Sequence, residues 1–319
     1  MKILFLYRFN EKRNFNHWIN TDFIHVLNKI PKIEVKIYGY NITHFFSNLN
    51  LIPYNVKLTM HDLYKLFAFD IILIGNINRT FTSTKQTDSW LPNDFTTTVC
   101  PKILIEADYH KYRKSNWIKS NNINLILHRN KSNTIRGMKD FPNLKHIWFP
   151  FSVDTKIFKS KFSSRINKIN FVGTIDSSKK IYPYRQEAAK ILKEQNLLKG
   201  KSRLHEEAYI KCLQTYVSHL NGSSIYNIDC GKMFEIMASG SVLLTDNCNN
   251  GIKELFDDNT YITYKRDYSD LLNKAKSIIE NPQLQKFITT NAIKCIKEKH
   301  THYKRCIDLV QILKNNFNI

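Results

Sequence analysis

The sequence predicts an α/β protein built from two doubly wound domains, and three observations support this fold class. The chain has 319 residues, about twice the usual length of one domain. Hydrophobic residues make up 42% of it, which is enough to fill two cores. Short apolar runs, typical of strands buried on both faces, alternate with helical patterns, and this alternation restarts after a polar stretch at 150–164.

Each half contains strands that alternate with helices in chain order. In the first half the predicted strands are 2–7, 34–40, 71–75, 102–107 and 124–128, the helices are 15–30 and 60–68, and 146–149 closes the half. Residues 76–99 lack periodicity and are predicted to form a long loop. In the second half the predicted strands are 169–172, 216–220 and 241–245, and the helices are 182–195, 206–213, 232–239, 268–279, 282–297 and 303–315.

These elements predict an N-terminal domain over 1–155, a C-terminal domain over 156–302, and a last helix over 303–319 that crosses back to the N-terminal domain. Open parallel sheets bind ligands at the carboxyl ends of their strands. Two such domains joined by one linker are therefore expected to face each other across a binding cleft.

The net charge and the glycine content indicate which classes of ligand the chain could bind. Lys and Arg number 48 against 27 Asp and Glu, and the formal charge of +21 is compatible with a nucleic acid, an anionic membrane surface or a polyphosphate substrate. The basic residues never form a run of five or six, so a general Lys-rich bias explains the charge equally well. Only nine glycines are present, and neither a P-loop nor a dinucleotide fingerprint occurs.

Cysteine usage and hydropathy indicate the compartment. The six cysteines are scattered without a CxxC pair, which favours a reducing compartment and argues against zinc. No apolar run reaches the length of about 18 residues that a membrane helix needs. We therefore expect a cytoplasmic protein, at most peripheral on the inner face of a membrane.

The segment 229–245 is the most informative part of the chain. Gly231 precedes a predicted helix whose free amides, together with the Lys232 cation, suit a diphosphate. Glu235 lies one helical turn further on and can accept two hydrogen bonds from a ribose diol. Gly240 is expected to end the helix as a left-handed cap. Taken alone, Lys232 and Glu235 could equally be an exposed ion pair between two turn glycines.

This segment resembles the group 1 glycosyltransferases of the GT-B fold, in particular the C-terminal module of the spore-maturation-protein type. The matching segments follow one another in order over about half of the chain: 148–154, 171–174 with 182–185, 232–246, 250–256 and 300–305. The resemblance implies two Rossmann-like domains facing across a cleft, and a nucleoside diphosphate sugar as co-substrate, with no metal. It assigns nucleotide-sugar binding to Gly173, Thr174, Lys179, Arg185, Gly231, Lys232, Met233 and Glu235.

The chain departs from the family at Asn227. Retaining members usually carry a second Glu there, with seven residues between it and the Glu that binds the ribose. An amide can hydrogen-bond a sugar but has no charge. The stereochemical outcome of the transfer therefore stays open at this point.

In the first half, the predicted strand at 102–107 ends in polar residues at its carboxyl edge. The resemblance makes His110 and Asp108 the candidate catalytic residues, with His110 orienting a hydroxyl or transferring a proton and Asp108 fixing its tautomer or acting as the base. Alternatively, Asp108 caps a following helix and His110 is solvated. Glu106 and Asp108 could also bind a divalent cation, although no D-x-D occurs and we expect no metal.

The sequence thus predicts a glycosyltransferase that moves a sugar from a nucleoside diphosphate to a glycan, lipid-linked or protein acceptor. An anionic membrane surface is a further candidate partner, and no specific nucleic acid is expected. The alternative from another class is a basic nucleic-acid-binding protein on an α/β scaffold. Against it, no strand carries aromatic residues alternating with basic ones. A methyltransferase is disfavoured because residues 6–10, after the first strand, contain no glycine.

Overall fold

The structure is a computed structural model, and the part of the chain that it describes comprises residues 1–7, 23–39, 51–52, 54, 57–75, 91–106, 117–161, 164–173, 181–201, 204, 206–228 and 230–319. The chain divides into two compact units. The first unit combines Met1–Pro150 with Arg305–Ile319, and the second is the contiguous segment Phe151–Lys304.

Strands and helices alternate along both units. The strands are β1 (Lys2–Tyr7), β2 (Glu34–Tyr38), β3 (Ile71–Gly75), β4 (Lys102–Glu106), β5 (Leu125–His128), β6 (Lys145–Trp148), β7 (Ile166–Val172), β8 (Leu198–Lys201), β9 (Tyr216–Leu220), β10 (Val242–Asp246) and β11 (Ile262–Tyr264). The helices are α1 (Ile24–Leu27), α2 (Met60–Leu66), α3 (Trp117–Ser120), α4 (Lys131–Asp140), α5 (Pro183–Glu194), α6 (Glu206–Thr215), α7 (Lys232–Ala238), α8 (Ile252–Leu255), α9 (Leu271–Glu280), α10 (Pro282–Lys299) and α11 (His302–Phe317).

The first unit has one parallel sheet in the order β2-β1-β3-β4-β5-β6. Its central strands, such as Ile71–Gly75, are buried along their whole length, because each face of the sheet packs on its own hydrophobic cluster. One of these clusters includes Ile3 and Phe5 of β1 together with Leu309 and Leu313 of α11. The last helix of the chain therefore completes the core under the first strand.

The second unit has a parallel sheet in the order β11-β10-β9-β7-β8. The first strand of this unit, β7, lies inside the sheet, with β8 on one side of it and β9, β10 and β11 on the other. The order of the strands thus reverses beside β7 and β9, which is where doubly wound sheets bind ligands. The two-sheet α/β architecture confirms the fold class that the alternation of elements predicts.

The differences from the predicted elements are local. Neither α4 nor β8 is predicted, because the α4 sequence has a glycine and few apolar residues and β8 is only four residues long. Strand β7 begins three residues earlier than expected, at Ile166. Of the helix predicted over 15–30, residues 15–22 lie outside the described residues, and the described part is helical at Ile24–Leu27. Among the described residues, no helix is both long and apolar enough to cross a bilayer.

Candidate functional site

The candidate site lies at the carboxyl edge of the second sheet. Strands β7, β9, β10 and β11 are parallel, so the segments that follow them emerge at the same edge. These segments begin at Gly173, Asn221, Asn247 and Lys265. Side chains placed at this edge can reach one ligand together.

Gly173 directly follows β7 and leaves space for a lysine. Its φ of 146° is a conformation that side chains with a Cβ rarely adopt. A Cβ at this position would lie 3.0 Å from Nζ of Lys232 and 3.2 Å from the ring of Phe171. The Lys232 ammonium donates a hydrogen bond to the carbonyl of Val172, the last residue of β7. The glycine therefore admits the cation to the end of the strand.

Arg185, in the first turn of α5, places a second cation at this edge. Its side chain is buried, with the guanidinium 3.8 Å from the ring centroid of Tyr182 and 5.5 Å from that of Phe171. Its Nε has no hydrogen-bond partner among the described residues. Gly222, after β9, packs so closely on the arginine that a Cβ there would lie 2.8 Å from the Cβ of Arg185. Aromatic faces rather than carboxylates thus hold this cation.

Neither Lys232 nor Arg185 forms an ion pair with a carboxylate anywhere in the described part of the chain. Burial lowers the pKa of the Lys232 ammonium, and the neighbouring Arg185 cation also lowers it, while Cys230 and Glu235 act in the opposite direction. The site therefore holds two cations that an incoming anion would stabilise.

Glu235 lies deeper than its sequence position suggests. Residues Met233–Ala238 of α7 are all buried, so the helix shows no exposed face that Lys232 and Glu235 could share. The hydroxyl of Tyr209, from α6, donates a hydrogen bond to Oε2 of Glu235. Burial raises the pKa of the Tyr209 hydroxyl, which keeps it protonated as a donor. Tyr209 has no motif around it that would have identified it from the sequence.

The two glycines that flank α7 differ in conformation. Gly231 has a φ of −53°, which any residue can adopt. Gly240 has a φ of 74°, and the next amide, of Ser241, donates back to the carbonyl of Ile236, so the left-handed cap expected there is present. The conformation of the backbone therefore requires glycine after the helix and not before it.

A hydrogen-bonded cluster that the sequence did not predict lies at the same edge. Asp246 ends β10 and is buried, and it pairs with Nε of Arg266 at 2.9 Å. Ser223 donates to both oxygens of Asp246, from its amide to Oδ1 at 2.7 Å and from its hydroxyl to Oδ2 at 2.6 Å. Nη2 of Arg266 donates to Oδ1 of Asn227 at 2.8 Å. An acidic residue that ends an apolar strand is the signal that could have identified Asp246.

In the first unit, Glu106 at the end of β4 belongs to a buried chain of hydrogen bonds. Its Oε2 lies 2.9 Å from Nδ1 of His128, whose Nε2 lies 2.9 Å from Nδ1 of His146. Nε2 of His146 donates to the carbonyl of Phe141 at 3.1 Å. Because that carbonyl can only accept, Nε2 of His146 carries a proton, and burial lowers the pKa of both imidazoles. Oε2 of the Glu106 carboxyl group is therefore hydrogen-bonded to a histidine.

Several predicted site residues lie outside the described residues: Asp108, His110, Thr174 and Lys179. Among the residues that are described, no group of three or more His, Cys, Asp and Glu could hold a metal ion. His300 precedes α11 and His302 is its first residue, and both have structural contacts. Nε2 of His300 donates to the carbonyl of Leu255 at 2.9 Å, and Nδ1 of His302 lies 2.8 Å from the hydroxyl of Ser152.

Comparison with sequence families gives one match. Residues 165–311 match the model of a family described as glycosyl transferase-like. The matched segment contains Gly173, Arg185, Lys232 and Glu235. No curated protein sequence is significantly similar to this chain.

Solved structures share the fold at low sequence identity. A glycosyltransferase from Rickettsia africae superposes with a TM-score of 0.65 at 13% identity, with 98% of both chains covered. Alr3699/HepE from Anabaena, solved in complex with UDP-glucose, gives a TM-score of 0.66 at 12% identity, covering 99% of this chain and 100% of that one. BGT of phage T4, solved with its UDP-glucose substrate, gives 0.64 at 12% identity, with 100% of both chains covered. At these identities the likeness concerns the fold.

Proposed function

We infer that this chain is a glycosyltransferase of the GT-B fold that takes its sugar from a nucleoside diphosphate donor. One observation carries the assignment of the donor: Lys232 and Arg185 converge on the carboxyl edge of the second sheet without a carboxylate partner in the described part of the chain. Burying a charge is unfavourable until a counter-ion arrives. A diphosphate provides that counter-ion. The glycosyl transferase-like match over the same unit supports the proposal.

In the proposed complex the diphosphate lies against Gly173, Lys232 and Arg185. Thr174 and Lys179, which follow Gly173 in sequence, are assigned to the same phosphates. The ribose is assigned to Glu235, with Gly231 and Met233 beside it at the start of α7. We take a UDP sugar as the first donor to test, because two of the similar proteins were solved with UDP-glucose.

The two cations would also assist the chemical step. As the bond between the anomeric carbon and the phosphate oxygen breaks, negative charge grows on the leaving diphosphate. Fixed cations at that position stabilise the developing charge without having to reorganise. Because Lys232 and Arg185 already provide positive charge, we propose that transfer proceeds without a metal. Undiminished activity in excess EDTA is the expected result, and loss of activity that Mg²⁺ or Mn²⁺ restores would contradict it.

We assign the acceptor to the N-terminal half, with a glycan, lipid-linked or protein hydroxyl as the attacking group. The hydroxyl oxygen bonds to the anomeric carbon, and its proton passes to a base for which Asp108 and His110 are the candidates. Replacing His110 with Ala is expected to abolish transfer while UDP binding persists. Normal transfer by this variant would remove His110 from the mechanism.

The net charge of +21 suggests where the acceptor is found. An anionic membrane that carries a lipid-linked acceptor would attract such a chain, and salt would weaken the attraction. Co-sedimentation with phosphatidylglycerol vesicles but not with phosphatidylcholine vesicles is the expected outcome. Equal binding to both would leave the charge as a feature of composition. The comparisons lend no support to the nucleic-acid-binding alternative.

The central test is donor binding measured by calorimetry with UDP, GDP, ADP and UDP-glucose. Replacing Lys232 with Ala removes a charged hydrogen bond worth about 1.5–3 kcal/mol, so the dissociation constant of the preferred nucleotide should rise about 10- to 100-fold. Lys253→Ala is the matched control, because that lysine is exposed on α8. Equal nucleotide affinity of the K232A and K253A variants would contradict the assignment of the donor site.

A further inference from the structure

The cluster around Arg266 lies beside the proposed donor site but contributes no spare charge to it. The buried carboxylate of Asp246 pairs with Arg266 at 2.9 Å, which neutralises both groups. Both oxygens of Asp246 accept hydrogen bonds, Oδ1 from the amide of Ser223 and Oδ2 from the Ser223 hydroxyl and Nε of Arg266. Asp246 is thus occupied by protein donors, and Arg266 already has its counter-ion.

Arg266 holds the segment that follows β9. Its Nη2 donates to the hydroxyl of Ser223 at 2.7 Å and to Oδ1 of Asn227 at 2.8 Å. Asn227 has a φ of 53°, a left-handed conformation that is uncommon for residues with a Cβ and costs about 1 kcal/mol or more when nothing supports it. A few residues later this segment reaches Gly231 and Lys232.

The same guanidinium also contacts the start of α5. It lies 4.1 Å from the ring centroid of Tyr184, the neighbour of Arg185 in sequence. Arg266, which follows β11, therefore connects the segment after β9 and the end of β10 with the helix that carries the second cation. A planar guanidinium can make these contacts simultaneously, because its donors point in fixed divergent directions and its faces remain free for stacking. A lysine ammonium could pair with Asp246, but it has no planar face for stacking and no set of N–H donors in fixed positions.

We propose that Arg266 is a positioning residue for the donor site, holding the segment 221–228 and the start of α5 in the arrangement that presents Lys232 and Arg185 to the diphosphate. This inference rests on the proposed function. Arg266 acts through Ser223, Asn227 and Tyr184 and need not touch the donor itself. It also accounts for the neutral residue at position 227, since a glutamate there would place a second carboxylate on a guanidinium that already neutralises Asp246.

The test compares variants that separate positioning from charge and from stability. Arg266→Lys keeps the positive charge but loses the paired N–H donors and the stacking on Tyr184. The dissociation constant for UDP should therefore rise about tenfold, the equivalent of one lost hydrogen bond to a charged group. Lys265→Ala removes a neighbouring exposed charge, and Ala275→Gly weakens the buried face of α9 without touching the cluster. Calorimetry with UDP, GDP and ADP and thermal unfolding are measured for every variant.

We expect R266K to bind the nucleotide more weakly than the unaltered protein and the two control variants. The loss of affinity should exceed that of A275G even if the two variants have similar thermal stability. Unchanged affinity in R266K, or the same loss in A275G, would overturn the inference while leaving the donor assignment intact. Absence of binding by the unaltered protein to every nucleotide would overturn the proposed function together with this inference.

Discussion

Glu235 is 2% exposed, and its carboxylate has a hydrogen-bond donor in this buried position. The Tyr209 hydroxyl donates to Oε2, which offsets the cost of burying a polar group. Tyr209 remains a donor throughout the physiological range because burial raises the pKa of its hydroxyl. The proposed ribose contact therefore depends on a residue from another helix.

Replacing Tyr209 with Phe tests this dependence. The variant removes the hydrogen bond that holds the Glu235 carboxylate, so the dissociation constant for UDP should rise about tenfold, the equivalent of one lost hydrogen bond to a charged group. Calorimetric titrations with UDP provide the measurement. Tyr303→Phe, at an exposed position in α11, is the control. Equal affinity of the Y209F and Y303F variants would rule out this role.

The candidate site was only partly accessible from the sequence. Lys232 could be recognised because a cation at a helix start has local meaning, and Gly173 because its segment resembles the corresponding segment of group 1 glycosyltransferases. Arg266 could not, because Ser223, Asn227 and Asp246 belong to segments that meet only after β9, β10 and β11 have paired. A hydrogen-bonded cluster assembled by sheet order has no signature along the chain.

Among the elements, the strands were easier to predict than the short helices. Continuous apolar runs such as Ile71–Gly75 and Lys102–Glu106 are recognisable because a parallel sheet buries both faces of each strand. Helix α4 has no such pattern, since its buried residues are Asn133, Thr134 and Gly137. It packs by its small and polar face over the histidine pair of β5 and β6, an arrangement that hydrophobic periodicity does not detect.

Gly137 of α4 provides the prediction at the scale of elements. Alanine normally favours a helix interior over glycine by about 0.5–1 kcal/mol. Here its Cβ would lie 2.6 Å from Nδ1 of His146 and 2.7 Å from Nε2 of His128, so Gly137→Ala should destabilise the protein by about 1–3 kcal/mol through overpacking. Met138→Ala at the next, exposed position should change the free energy of unfolding by less than about 0.5 kcal/mol. Chemical denaturation measures both, and a stabilised G137A would show that α4 can move away from the histidines.

At the scale of the whole molecule, the two units differ in the number of sequence segments that form them. The second is contiguous, whereas the first needs residues from both ends of the chain. Cys306, Leu309 and Leu313 of α11 are buried in the same cluster as Ile3 and Phe5. Stability of the first unit therefore depends on a helix that lies more than 150 residues away in sequence from the rest of that unit.

Replacing Leu309 with Ala tests this dependence. The cavity should lower the free energy of unfolding of the first unit by about 2–5 kcal/mol. All four tryptophans of the sequence, at positions 18, 90, 117 and 148, precede residue 151, and Trp117 and Trp148 lie in described elements of the first unit, so tryptophan fluorescence in a urea titration reports its unfolding. Lys314→Ala, on the exposed side of α11, should leave the transition in place. Coinciding transitions for L309A and K314A would show that α11 does not stabilise this core.

The divided first unit also has a consequence during synthesis on the ribosome. Residues 1–150 emerge first, but their core stays incomplete until α11 has been translated, about 10–30 s later at roughly 5–20 residues per second. The contiguous second unit is translated within that interval, before the last part of the first unit. The first-made half of the nascent chain therefore waits without the packing that Leu309 and Leu313 add to this core, and exposed apolar surface of that kind is what chaperones bind.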